Sequence, residues 1–195
     1  MAADRPTMKG GSHGQEVIGT CVRAIGHRGC GRRRDLEVHE VVTEVRLRPA
    51  VRSDAEFLFS MASDIEVVRW VGDGTVWSRT YFDRRFAQAL DATGSPEPDV
   101  PRWFIGTSEQ SLRVGLLSMT RRSDHLEVGY WVHPHHWGLG YAGKLLVHAQ
   151  ELAAGLPLAA QVYRANAASR RVLERAGFAL VDDGDPLTYR RRPIP

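Results

Sequence analysis

The twelve residues HHWGLGYAGKLL, His135 to Leu146, constrain this chain more than any other stretch. A strand-like run, HLEVGYWVH, stops just before them and a helical pattern starts just after, so the backbone must pass from strand to helix through Gly138 and Gly140. Glycines at such a junction supply positive φ or let another group approach the backbone closely. Ala142, Leu145, Leu146, Ala149, Leu152 and Ala153 recur at helical spacing, which predicts a helix starting near Tyr141 and packing one face on a sheet. The glycines then sit at a helix N-terminus, where unpaired N–H groups and the positive end of the helix dipole favour an anion. Taken alone, these residues allow a plain tight turn or a cradle for a diphosphate.

The flanking pattern gives the strand and helix their context. From Val45, VRLRPA alternates like a short strand, and SDAEFLFSMAS opens with Ser53 and Glu56 at capping-box spacing before an apolar run. A second helical segment around DIEVVRW is broken at GDG. A third, SRTYFDRRFAQAL, sets Tyr81, Phe82, Phe86 and Leu90 near one face, and the turn-rich DATGSPEPDVP ends this helical third. RWFIGTS and RVGLLSMTRR flank Glu109, Gln110 and Ser111 as a hairpin, and HLEVGYWVH follows a second turn at Ser123 and Asp124, so three antiparallel strands in meander order are expected. In the third, Leu126, Val128, Tyr130 and Val132 share one face, while Glu127, Gly129 and Trp131 share the other. Beyond the helix at Tyr141, LAAQVYRAN reads as a strand, and AASRRVLERA as a helix capped by Asn166 and stopped by Gly177 with Phe178. FALVDD and LTYRRR are the last two strands.

Composition separates two regions. With 195 residues the chain suits one ordinary core. Residues 1–34 hold seven of the 26 Lys and Arg and two of the 23 Asp and Glu, a net of +5, whereas the remainder nets −2. A folded domain that grips phosphate backbones would carry the basic excess itself, so nucleic-acid binding is assigned to the tail or to nothing. Residues 1–44, which lack sustained periodicity, are expected to be a flexible extension, with one domain over 45–195. Cys21, His27 and Cys30 lack a fourth ligand at zinc spacing, and the only two cysteines cannot staple the main fold. With neither an apolar run of membrane-spanning length nor a signal-peptide pattern, a cytoplasmic protein is expected.

The residues GYWVHPHHWGLGYAGKLL and NAASRRVLERAGF, in this order and separated by a helix and a strand, resemble the GNAT superfamily of acyl-CoA-dependent N-acetyltransferases from about Val45 to the C-terminus. The aromatic-rich GYW strand and the WGxGYA turn look most like the branch containing the ribosomal-protein N-terminal acetyltransferases. The resemblance implies an α/β fold with a mixed, splayed central sheet, and acetyl-CoA as co-substrate inserted between the strands of Tyr130 and Gln161. Backbone and side chains of Val132, Trp137, Gly138, Leu139, Gly140, Tyr141, Ala142, Gly143, Lys144, Asn166, Ser169 and Arg170 are the cofactor-binding candidates. Trp70, Trp77 and Trp131 are candidates for shaping the site of an amine acceptor, either a protein N-terminus or a small molecule. A homodimer is left open. Two departures stand out. Trp137 occupies a position where the superfamily pattern has Gln or Arg, and Leu173 stands where many members carry a tyrosine thought to act as general acid.

Acyl transfer from a thioester needs a neutral amine, a base or water relay to take its proton, donors for the oxyanion and a proton for the leaving thiolate. The domain contains no cysteine, which rules out a cysteine acyl-enzyme there and favours direct attack in a ternary complex. Glu127 is the candidate base; the alternative is a strand glutamate paired with an arginine. Ser169, on the helical face shared by Val172, Leu173 and Ala176, is the candidate donor to the thiolate; otherwise it bonds to helix backbone. Asn166 caps its helix in either case, and Lys144 and Arg170 either neutralise phosphates or are surface charges. His133, His135 and His136 flank Pro134 at a strand end and are not expected to hold a metal. Two rivals remain: a domain that binds acyl-CoA without turnover, favoured by Leu173, and a nucleic-acid binder acting through the basic tail.

Overall fold

The computed structural model describes residues 44–94 and 98–193, so the expectations for the N-terminal extension and for Cys21, His27 and Cys30 lie outside the described residues. The elements run β1 (Val45–Pro49), α1 (Ala55–Ala62), α2 (Ile65–Val68), α3 (Arg79–Gly94), β2 (Pro101–Ser108), β3 (Arg113–Arg121), β4 (Leu126–Val132), α4 (Tyr141–Leu152), β5 (Leu158–Val162), α5 (Ala167–Arg175), β6 (Ala179–Asp182) and β7 (Leu187–Arg191). The strands form one seven-stranded sheet in the order β1-β2-β3-β4-β5-β7-β6. Every neighbouring pair is antiparallel except β4 and β5. That parallel pair is short: only Leu126 with Leu158 and Glu127 with Ala159 are in register. Beyond these two rungs β4 runs from Val128 to Val132 with no strand among the described residues on its β5 side, which makes the sheet mixed and splayed, as the resemblance implies.

Strict alternation in β4 separates two cores. Val128, Tyr130 and Val132 face α4 and α5, joining Leu145, Leu146, Ala149 and Leu173 in one buried cluster. Trp131 points the other way into a second cluster with Leu58, Met61, Phe82, Phe86 and Trp103, between the sheet and α1–α3. Helix α4 begins at Tyr141, and Tyr141, Ala142, Leu145, Leu146 and Ala149 are its buried residues, the stripe that the periodicity predicts. The second motif also forms as read. The Asn166 side chain accepts from the Ser169 amide at 3.1 Å, and Gly177, at φ 79°, ends α5 with Phe178 donating to the Leu173 carbonyl at 3.0 Å.

Three local expectations are corrected. The capping box at Ser53 and Glu56 does not start α1; a short 3-10 turn, Arg52–Asp54, precedes it, Asp54 is the N-cap residue and Glu56 instead pairs with Arg79 at 2.8 Å. The third helix continues through Asp91 to Gly94, because the stretch lacks a breaker before Gly94 and Ala92 is buried. Strand β5 stops at Val162 rather than running on to Asn166, since the chain must turn to enter α5.

Asp54 ties this first crossing together. Its carboxylate is fully buried and accepts from Arg48 of β1 at 2.7 Å through both oxygens, from Arg113 of β3 at 2.8 Å and from the Val51 amide at 2.9 Å. Burial alone would raise its pKa; the bonds from Arg48, Val51 and Arg113 outweigh this and lower it. A depressed carboxylate pKa contributes stability that is present above the unfolded value of about 3.9 and lost as pH falls through the folded value. Asp54→Ala leaves two half-exposed guanidinium groups without their acceptor, so it should cost about 2–3 kcal/mol at neutral pH. Thermal denaturation should show the parent and Asp54→Ala well separated at pH 7 and converging in acid; equal separation at both would remove Asp54 from this role.

Candidate active site

The site starts where β4 loses its partner. At the closed end of the splay, Glu127 stands opposite Ala159 and Thr120. At the open end, some five residues or about 17 Å further along β4, Val132 leads into His133 and the turn. Between these ends the free edge of β4 has backbone groups that an extended, amide-bearing chain can satisfy.

At the open end the strand does not pass straight to the helix. A 3-10 turn, Pro134–His136, comes first, and then Gly138 and Gly140 adopt φ of 79° and 78°, the left-handed region that favours glycine. A Cβ added at Gly140 or Gly143 meets no atom within 4 Å, so open space adjoins the backbone here. Gly140 is the N-cap of α4 and offers no side-chain cap, which leaves early amides of the helix to other acceptors. Trp137 stabilises the turn from within. Its indole N–H donates to the Val132 carbonyl at 2.7 Å, and its ring packs on both cores.

A cavity of about 210 Å3 opens beside this turn. Val132, Trp137, Gly138, Gly140, Tyr141, Ala142 and Gly143 line one side, as sequence reasoning grouped them. The opposite wall is α5, through Ala168, Arg171, Val172 and Arg175, and His136 adds a ring. Lys144 is exposed on α4 outside this lining, as is Leu139. Arg170 turns away, donating to the Tyr189 hydroxyl at 3.5 Å and the Arg164 carbonyl at 3.4 Å. The missed arginines carried a signal: Ala168, Arg171, Val172 and Arg175 follow i, i+3, i+4, i+7 spacing, a face adjacent to the one occupied by Ser169.

Ser169 is fully buried, and both of its backbone groups are fixed. Its amide bonds Asn166, and its carbonyl accepts from the Tyr130 hydroxyl at 3.5 Å, which brings α5 against β4 beside the splay. Leu173 is also fully buried, in the same core.

Around Glu127 the chemistry is polar. A cavity of about 440 Å3 is bounded by Asp99, Arg122, His125, Glu127, Gln161 and Arg190, with Ser123, Ala159 and Thr188. Arg122 donates to Glu127 Oε2 at 3.0 Å and to Asp99 at 2.5 Å, while both the Arg122 and Glu127 side chains are largely shielded, at 12% and 14% exposure. Burial opposes the charge on Arg122; its bonds to Asp99 and Glu127 prevail and raise its pKa. The carboxylate of Glu127 is therefore oriented by a charged partner through Oε2.

The candidate acceptor tryptophans fall into two places. Trp131 is fully buried, edge-on to Trp77 at 5.2 Å between ring centres, and Trp77 meets Tyr81 at 4.9 Å. Trp70 lies apart from them, against Tyr163 at 6.5 Å and under the Arg69 guanidinium at 5.1 Å. The Tyr163 hydroxyl donates to the Gly72 carbonyl, which ties the GDG loop to the end of β5. His133 and His135 lie 4.9 Å apart, and among the described residues no group of three His, Cys, Asp or Glu is arranged to hold a metal. No helix among them is long and apolar enough to cross a membrane.

A seven-stranded mixed sheet splayed beside a glycine turn and helix N-terminus defines an acetyltransferase-like fold. The family model for an acetyltransferase (GNAT) domain matches residues 44–179, and the chain belongs to that family. Solved structures agree on the fold. A spermidine N-acetyltransferase from Vibrio cholerae, in complex with CoA and spermine, superposes with TM-score 0.60 at 18% identity, covering 75% of this chain and 93% of that one. An aminoglycoside acetyltransferase, AAC(6')-Ib, in complex with coenzyme A reaches 0.64 at 16% identity, with 76% and 95% covered. An acetyltransferase from Agrobacterium tumefaciens str. C58 gives 0.61 at 21% identity, with 83% and 99% covered. No curated protein sequence matches the chain, and none of these findings singles out the ribosomal-protein branch.

Because the Trp137 indole N–H donates to the Val132 carbonyl, Trp137→Phe should keep the ring packing and lose that bond. A partly buried carbonyl left without it costs about 1–2 kcal/mol, a fall in melting temperature of about 2–8 °C. Calorimetric melting of the purified variant measures it; an unchanged melting temperature would show that the bond contributes nothing.

Proposed function

We propose that the protein transfers the acetyl group of acetyl-CoA to a primary amine by direct attack in a ternary complex. Acetyl-CoA is the co-substrate. The observation that carries the reading is the splay itself: two parallel rungs at one end, a glycine turn and helix N-terminus at the other, and an unpaired strand edge between them. A pantetheine arm fits along that edge, with the diphosphate at Gly138–Gly143 and the thioester near the closed end.

The acceptor enters from the face that carries Glu127. The polar cavity there takes a small amine or an exposed peptide N-terminus, with Glu127 receiving the amine proton directly or through water and Arg122 holding the carboxylate in place. The amine nitrogen forms a bond to the thioester carbonyl carbon, the carbon–sulfur bond breaks as the tetrahedral intermediate collapses, and the thiolate takes a proton. Ser169, buried beside β4, is the protein group proposed to supply it, with water as the alternative donor. Neighbours bound to spermine or to aminoglycosides support an amine acceptor in kind, while its identity here rests on a screen of amines and peptides read by thiol release. The cytoplasmic location and the dispensable 1–44 extension belong to the same proposal.

Gly140→Asp should disrupt CoA binding. The side chain has room, but φ of 78° is unfavourable for it and its carboxylate adds negative charge where a diphosphate must lie. Isothermal calorimetry should show CoA binding in the parent and a loss of about 100-fold or more in a folded variant; unchanged affinity would move the diphosphate elsewhere.

With an acceptor from the screen, Ser169→Ala should lower kcat about 10- to 100-fold with little change in CoA affinity. Glu127→Gln should lower kcat by about 100-fold or more and remove the enzyme's own contribution to the acidic limb of the pH profile. A kinetically silent Ser169→Ala assigns the thiolate proton to water. A full acidic limb in Glu127→Gln leaves Glu127 as a structural partner of Arg122.

A further inference from the structure

The wall of the 210 Å3 cavity opposite the glycine turn has an unusual composition. Arg171 and Arg175 lie one helical turn apart on α5, His136 faces them from the 3-10 turn, and among the described residues no carboxylate lines the cavity. Among the described residues, Arg171 and Arg175 are also absent from the salt bridges that engage Arg48, Arg79, Arg113, Arg122 and Arg190. Two guanidinium groups and an imidazole around one cavity, facing a helix N-terminus, match a diphosphate in charge and in hydrogen-bonding pattern.

Resting on the acetyl-CoA reading above, we propose that Arg171, Arg175 and His136 form a side-chain clamp on the CoA diphosphate, opposite the backbone cradle of Gly138–Gly143, and that His136 takes up a proton when CoA binds. The arginines supply permanent charge from α5, so ligand binding also draws α5 toward α4 across the mouth of the splay. His136 supplies a charge that depends on the ligand.

The surroundings of His136 determine the direction of that coupling. Its ring is partly buried, edge-on to Tyr141 of α4 at 5.6 Å, and bonded to the backbone of Arg113 in β3. His135 adjoins it on the same turn, His133 lies 6.0 Å away, and Arg171 and Arg175 face the cavity from α5. Burial first, and then the charge of His135, lower its pKa below the ordinary 6.5, against a smaller opposing effect of the Arg113 backbone bond. The free protein therefore holds His136 mostly neutral at neutral pH. A diphosphate in the cavity favours the imidazolium and raises that pKa, so CoA binds more tightly below the folded value of the complex and loses this part of its affinity as pH rises through it.

Calorimetric titration of the full chain with CoA, in buffers of different ionisation enthalpy between pH 6 and 8, reads the coupled proton directly. The parent should take up a fraction of a proton, and its Kd should rise by up to about tenfold across the range. His136→Asn, checked for an unchanged melting temperature, should abolish the uptake and flatten Kd against pH. Arg171→Ala and Arg175→Ala should each weaken CoA about 10-fold while leaving the much weaker affinity for pantetheine unchanged. Dephospho-CoA should keep the uptake. CoA binding with no coupled proton, uptake that survives in His136→Asn, arginine variants that bind CoA as the parent does, or loss of uptake with dephospho-CoA each overturn the clamp while leaving the acetyl-CoA reading intact. Failure of the folded parent to bind CoA at all overturns both.

Discussion

The two-rung parallel contact between β4 and β5 is the constraint on which the rest of this structure depends. A sheet that stayed paired along both strands would bury the edge of β4 and close the site. The fold prevents this by assigning the strands to different supports. β4 is fixed by seven antiparallel pairs to β3, β5 by five to β7, and the two halves of the sheet meet only at Leu126–Leu158 and Glu127–Ala159. Beyond that point α4 and α5 pack under the opening with Leu145, Leu146 and Leu173, so the wedge is held apart by a close-packed core rather than by any single bond. An open strand edge is costly unless something satisfies it, and a ligand arm that bears its own amides does so reversibly.

The same geometry separates the charges. At the open end the helix N-terminus, Arg171 and Arg175 contribute positive charge, with no acidic group among the described residues of the cavity lining. At the closed end Glu127, Arg122 and Asp99 form a mixed network in which each charge has a partner. In the proposed reading, a ligand with a diphosphate at one end and a neutral thioester at the other lies along β4 with its phosphates at the glycine turn and its reactive carbon toward Glu127, so the open end positions the chemistry at the closed end without touching it.

How much of this was legible in the sequence depended on the kind of signal. Alternation in β4 assigned Tyr130 and Trp131 to opposite cores, because a two-residue period leaves no choice of face. Asn166 and Gly177 marked the ends of α5 because each satisfies a backbone requirement that few other residues meet. Arg170 and Arg171 point about 100° apart around α5, so one residue of error in the face exchanges the cavity lining for a contact with Tyr189. Asp54 was missed for a different reason: its partners Arg48 and Arg113 lie 6 and 59 residues away in sequence, and no local pattern announces a buried carboxylate shared between two strands. The Arg122–Glu127 pair was foreseen only as a type of contact, since the partner sits across the β3–β4 turn.

Leu173 is fully buried among apolar neighbours, so the position at which the resemblance implies a tyrosine contributes only packing here. A thiolate with an ordinary pKa near 8.5 gains a proton from water without strong assistance at neutral pH, so the loss of a dedicated acid there costs less than the loss of a base would. The amine, by contrast, must lose a proton before or during attack, and in the proposed reading Glu127, the carboxylate oriented by Arg122, receives it. The requirement for a positioned group therefore falls on the acceptor side of the sheet. On the thiol side, what the structure retains is placement: Asn166 and Tyr130 fix the backbone of Ser169 against β4.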